Sequence, residues 1–153
     1  MRAWAWLLLL TCGVAQGAAL DLRFSCSHSE GEGENRVIYS DVGEFKLDGD
    51  KLQALQWESA LHRRTHGFDC SISQEDGVQA EEIEGGWRLR LADPAGARSA
   101  RGYDTGRGRQ CSIRLLREND YLKIVPTCAV LCGSRANFSA ISVHLPSRTC
   151  RYD

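Results

Sequence analysis

The sequence predicts an all-β fold: one small antiparallel β-barrel or sandwich of roughly eight strands, stapled by disulfides. Short runs alternate apolar and polar residues, which is the period of a half-buried strand. Turn signals such as Asp48-Gly49-Asp50, Glu84-Gly85-Gly86 and Glu118-Asn119-Asp120 punctuate those runs at the spacing of a sandwich or barrel. An even set of six cysteines follows an export-like leader, and an oxidising compartment turns such a set into cross-links.

In chain order, Met1-Arg2 gives a basic start, Ala3 to Val14 an apolar run, and Ala15-Gln16-Gly17 a small-x-small end. Residues 1–17 therefore read as a signal peptide. The run is too short for a transmembrane segment, which needs roughly 20 apolar residues. Cleavage is expected after Gly17, with Ala18 and Ala19 as neighbouring options. Leu9-Leu10-Thr11-Cys12 has the order of a bacterial lipoprotein box, so a lipid anchor at Cys12 is the alternative fate. Thr11 is not the usual small residue of that box, which favours cleavage and the loss of Cys12 with the leader.

Residues 18–153 then form one domain, large enough for a modest core. Its cysteines are Cys26, Cys70, Cys111, Cys128, Cys132 and Cys150, all expected in disulfides whose connectivity spacing alone does not choose. Charge is unevenly placed. Residues 18–86 carry 15 acidic and 6 Lys/Arg side chains, whereas residues 87–153 carry 5 and 12. Two halves that neutralise each other within the fold are favoured over two opposed charged faces.

Leu20 to Cys26 alternates as a first strand, and Ser27 to Asn35, rich in Glu and Gly, reads as a solvated loop. Arg36 to Ser40 is the next strand. Glu44–Leu47 and Lys51–Trp57 flank Asp-Gly, which supplies the positive φ that a tight hairpin requires. A short helix marked by Leu52, Leu55, Ser59 and Leu61 is the alternative for the second arm. Leu61 to Gly67 is expected as a loop, Phe68 to Ile72 as a strand, and Val78–Ile83 with Trp87–Leu91 as a hairpin. Residues 93–110, rich in Gly and Arg, read as a mobile loop. Cys111–Leu116 and Tyr121–Val125 form a further hairpin, and Asn137 to Leu145 the last strand.

Candidate chemistry is sparse. Glu58, His62 and His66 are spaced four apart, so a helix would present them to one metal ion. The segment lacks helical character and brings two arginines with it, so surface histidines are favoured over a metal site. Cys128 and Cys132 have three intervening residues rather than the two of a redox motif, which favours a structural role. No nucleophile elbow or phosphate loop is present, so an enzyme is the less favoured class and no cofactor is expected. Arg98, Arg101, Arg107 and Arg109 could dock an anionic partner; export argues against nucleic acid, and a solvated insertion is the plainer reading. Asn137-Phe138-Ser139 matches a glycosylation sequon, taken as incidental because it falls in the expected last strand.

Gly133-Ser134-Arg135-Ala136-Asn137-Phe138 resembles the Ser-Gly-Ser-Gly-x-Arg/Lys-Tyr turn of bacterial periplasmic and membrane-bound inhibitors of C-type lysozyme. Arg135 stands at the second glycine-like position and Phe138 at the aromatic one. Those proteins are small disulfide-tied β-barrels whose turn enters the lysozyme cleft. The resemblance implies that Ser134 bonds a catalytic carboxylate and that Arg135 supplies the cation. The expectation is thus a periplasmic or secreted binding protein with a protein partner, such as a lysozyme-like or other cell-wall-degrading enzyme. An immunity protein against a periplasmic toxin, an envelope hydrolase and an envelope-associated structural protein are the alternatives.

Overall fold

Strand pairing in this chain is local throughout, each strand bonding to the one that follows it within its sheet. The computed structural model describes residues 17–91, 111–127 and 137–153. Among them are ten strands: β1 (Ala19–Glu30), β2 (Val37–Asp48), β3 (Lys51–Arg63), β4 (Gly67–Ser73), β5 (Val78–Ile83), β6 (Gly86–Leu91), β7 (Ser112–Glu118), β8 (Tyr121–Pro126), β9 (Ile141–His144) and β10 (Cys150–Tyr152). They form two antiparallel sheets, β1-β2-β3-β4 and β10-β9-β8-β7-β6-β5. The sheets stay separate, so the architecture is a sandwich rather than a closed barrel.

The core comes from the apolar phase of each strand. Leu20, Leu22 and Phe24 of β1, Phe45 and Leu47 of β2, and Trp57 of β3 meet Trp87, Leu89, Ile113, Leu115, Leu122 and Ile124 of the other sheet in one cluster. Gly43 lies in the apolar phase of β2 for a packing reason. A Cβ there would sit 2.4 Å from the Phe24 ring. Without it, Phe24 stacks on Phe45 at 5.9 Å and meets the edge of Trp57 at 6.2 Å.

The hairpin turns match their sequence signals. Gly49, Gly85 and Asn119 take positive φ at the β2–β3, β5–β6 and β7–β8 turns, a region open to Gly and tolerated by Asn. The Lys51–Trp57 arm is strand and not helix.

Four expectations need correction. Ser27–Glu30 belongs to β1 and not to a loop, paired to Val37–Ser40 in full register although its side chains are exposed. Backbone pairing requires no apolar side chain, so composition misread it. For the same reason β3 continues through Leu61 to Arg63, where a loop was expected. The last long strand starts at Ile141 rather than Asn137, because Phe138 has φ 56° and breaks the extended run. A short final strand, Cys150–Tyr152, brings the total above the roughly eight expected.

Cys26 and Cys150 form a disulfide that joins β1 to β10, the edge strands of different sheets. Cys70 and Cys111 are buried and disulfide-bonded as well. Residues 1–16, the loop expected over 93–110 and the pair Cys128 and Cys132 lie outside the described residues. No helix among the described residues is long and apolar enough to cross a membrane.

Candidate functional site

The seam at Cys26–Cys150 carries the most concentrated polar chemistry of the described interior. Asp41 occupies the apolar phase of β2, between Tyr39 and Gly43, and is only 2 % exposed. Its Oδ1 accepts from Trp57 Nε1 at 2.9 Å and its Oδ2 from Tyr152 Oη at 2.8 Å. The Ser59 hydroxyl is a third partner. Burial pushes the Asp41 carboxyl above its ordinary value of 3.8, and the bonds from Ser59, Tyr152 and Trp57 pull it back only in part. Burial first, then the Asp41 charge and hydrogen bond, push the Tyr152 phenol upward, so it acts as a donor. Tyr152 is held by β10, which is itself fixed where Ser142 Oγ donates to Asp153 at 2.7 Å.

Ser59 relays this network to the chain that leaves residues 128–136. Its Oγ accepts from the Phe138 backbone N–H at 2.9 Å. Asn137 Nδ2 donates to the carbonyls of Ser59 at 2.8 Å and Phe68 at 3.3 Å. The Phe138 ring stands edge-on to Trp57 with centroids 4.9 Å apart. Both residues are buried, Asn137 at 0 % and Phe138 at 2 % exposure. The sequon at Asn137 is thus incidental because the side chain is sealed inside the fold, and not because it lies in a strand.

Phe138, expected as the aromatic of a binding turn, is a buried core residue in this structure. Gly133, Ser134 and Arg135 lie outside the described residues, as do Arg98, Arg101, Arg107 and Arg109. Glu58 and His62 both project from the exposed phase of β3, where four strand residues span roughly 13 Å. His62 faces Asp69 at 3.6 Å, whereas His66 turns its ring against Phe68 at 5.7 Å. The shared helical face that would have gathered Glu58, His62 and His66 does not form, and no metal-sized group of three such side chains occurs among the described residues.

Asp41, Ser59 and Tyr152 were missed from the sequence. A signal for Asp41 existed: in Val37-Ile38-Tyr39-Ser40-Asp41-Val42-Gly43-Glu44-Phe45 it falls in phase with Val37, Tyr39 and Phe45. A carboxylate in the apolar phase of a strand demands buried donors. Ser59 and Tyr152 gave no comparable signal, since each becomes meaningful only once the two sheets meet.

Comparison with family models, with curated proteins and with solved structures found no match.

Proposed function

We propose that this chain is an exported binding protein that inhibits a cell-wall-degrading enzyme such as lysozyme. The contact turn in this reading is Gly133-Ser134-Arg135, and the observation that carries it is the fixed exit of that turn. Phe138 N–H bonds Ser59 Oγ, Asn137 Nδ2 bonds two carbonyls, and the Phe138 ring packs on Trp57. A turn whose base is held in place loses less conformational entropy on binding. In the cleft of such an enzyme, Ser134 would donate to a catalytic carboxylate and Arg135 would pair with one. The excess of 15 acidic over 6 basic side chains in residues 18–86 would speed encounter with a cationic enzyme.

The direct experiment is inhibition of C-type lysozyme by the disulfide-intact protein. Inhibition at micromolar protein is expected, weakened at least tenfold in Arg135→Ala if that guanidinium is a central anchor. Absence of inhibition from protein shown to be folded refutes the reading.

A further inference from the structure

Residues 18–86 contain 15 acidic side chains and 4 arginines, yet three of those arginines gather in one place. Arg36, Arg63 and Arg64 line a cleft of about 560 Å³ together with Glu34, Thr65 and His66. It lies between the bend that leads from β1 into β2 and the turn that joins β3 to β4. The register brings the cations together, because Val37 pairs with Arg63 and so sets Arg36 beside the Arg63–Arg64 corner. Like charges opposed across paired strands destabilise the pairing. One carboxylate offsets this in part: Arg64 bonds Glu34 and so ties the two loops across the cleft.

Backbone bonds fix the walls. Arg63 N–H donates to His66 O at 2.8 Å, and Asn35 N–H to Glu32 O at 3.1 Å. Elsewhere in this half, Arg23 is matched by Glu44 at 3.0 Å and Lys46 by Asp21 at 4.0 Å. Among the described residues the Arg36 and Arg63 guanidinia take no carboxylate partner, and both residues line the cleft.

We propose that this cleft is an oxyanion-binding site for a small polyanion, a molecule bearing phosphate or carboxylate groups. Planar guanidinium forks match the oxygens of both groups and hold them by paired, charge-assisted hydrogen bonds. The volume lies in the range of small-ligand sites. Beside it, Phe68 is 45 % exposed and carries the His66 ring on its edge, an apolar shelf for the carbon frame of such a ligand. This site is independent of the Gly133–Arg135 turn and stands whether or not the chain inhibits an enzyme.

The test titrates the disulfide-intact chain with inorganic pyrophosphate in one arm and citrate in the other, at constant ionic strength near 0.15 M, by calorimetry and amide chemical-shift mapping. Saturable binding at one site is expected in at least one arm, with shifts centred on Arg36 and on Arg63 to His66; the tighter arm identifies the oxyanion. Arg63→Ala and Arg36→Ala should each weaken binding roughly tenfold or more. Arg90→Ala, on β6 and already facing Glu81 at 3.3 Å, should leave it unchanged. No saturation by either anion up to about 10 mM overturns the proposal. So does an equal loss in Arg90→Ala, which would mark diffuse charge attraction instead of a site.

Discussion

Tyr152→Phe removes one hydroxyl and leaves the ring, so it tests the bond that ties β10 to the buried Asp41, together with the longer 3.4 Å contact of that hydroxyl with the Cys26 carbonyl. Tyr152 Oη donates to Asp41 Oδ2 at 2.8 Å. A hydrogen bond to a charged group contributes about 1.5–3 kcal/mol, and one between neutral groups about 0.5–1.5. Tyr152 is half-buried, so water can reach part of the gap, and the loss at neutral pH should be about 2 kcal/mol. In urea that moves the unfolding midpoint by about 1 M for a domain of this size. The pH dependence supplies a second, independent check. Burial raises the Asp41 pKa above 3.8, so the native state binds this proton more tightly than the unfolded chain. Stability from that group is therefore fully present below 3.8 and is lost as pH rises through the folded value. Because Tyr152 favours the ionised carboxylate, Phe at that position raises the folded value further. The difference between variant and parent should thus be largest above the Asp41 pKa and fall to about 1 kcal/mol near pH 3. Urea melts of both proteins at about pH 3 and pH 7.5 measure it, and other carboxylates cancel in the difference. A gap below about 0.5 kcal/mol at neutral pH, or one that does not change with pH, would refute this account of the seam.

Other perturbations probe the same frame. Gly43→Ala places a methyl 2.4 Å from the Phe24 ring and should cost about 1–3 kcal/mol in denaturant melts, with a changed near-ultraviolet signal from Trp57. Gly86→Ala is expected to be worse, since its Cβ would lie 1.8 Å from the Leu115 carbonyl and the β6–β7 backbones must part; amide exchange of Trp87 to Leu89 should accelerate. Replacing Cys26 and Cys150 by serine opens a loop with a sequence separation of 124, worth at most about 5 kcal/mol by chain entropy and less because Cys70 and Cys111 remain cross-linked. Thermal melts of that double variant should show the loss, and peptide mapping of the parent should recover Cys70 and Cys111 in linked peptides rather than as free thiols. Phe138→Ala empties a fully buried site beside Trp57 and should cost about 3–5 kcal/mol.

How much of this was legible in the residues depends on the range of the interaction. The Asp-Gly and Glu-Asn-Asp turns and the Trp87-Leu89-Leu91 alternation are local, and each hairpin they announce is present. Strand ends were not legible, because Ser27 to Glu30 and His62–Arg63 pair with their side chains exposed, on strands longer than those of the sheet they cover. The Asn137–Phe138 corner was misread for a different reason. Its sequence fits an extended strand, yet Ser59 and Trp57, nearly eighty residues away, supply the bonds and ring that hold Phe138 at positive φ. Asp41 announced itself as out of place, but its donors come from β3 and β10 and no local pattern joins them.

The two ends of the sandwich differ in their chemistry. At the β2–β3 turn, Trp87 Nε1 donates to Gly49 O at 2.9 Å, Gly49 N–H to Ala18 O at 2.8 Å, and Arg117 to Ala19 O while it covers the Trp87 ring. The bonds from Trp87 and Arg117 satisfy backbone carbonyls with donors from the opposite sheet, and together these contacts close that end over the core. The opposite end holds a buried carboxylate whose bonds reach through Ser59 to Phe138, and a cluster of three arginines in which Glu34 pairs with Arg64. Buried charge and crowded cations both cost stability, so an end that only closed the fold would be better served by apolar packing. Replacing Asp41, Ser59 and Tyr152 together by residues of apolar surface removes the buried acceptors of Trp57 Nε1 and of the Phe138 N–H, and should cost about 1–3 kcal/mol for each donor left unpaired. If the seam serves to position the chain that enters at Asn137, that same variant should lose binding at the adjoining turn. A triple variant that keeps both stability and full binding would show the network to be dispensable, and would separate the seam from any role at Gly133-Ser134-Arg135.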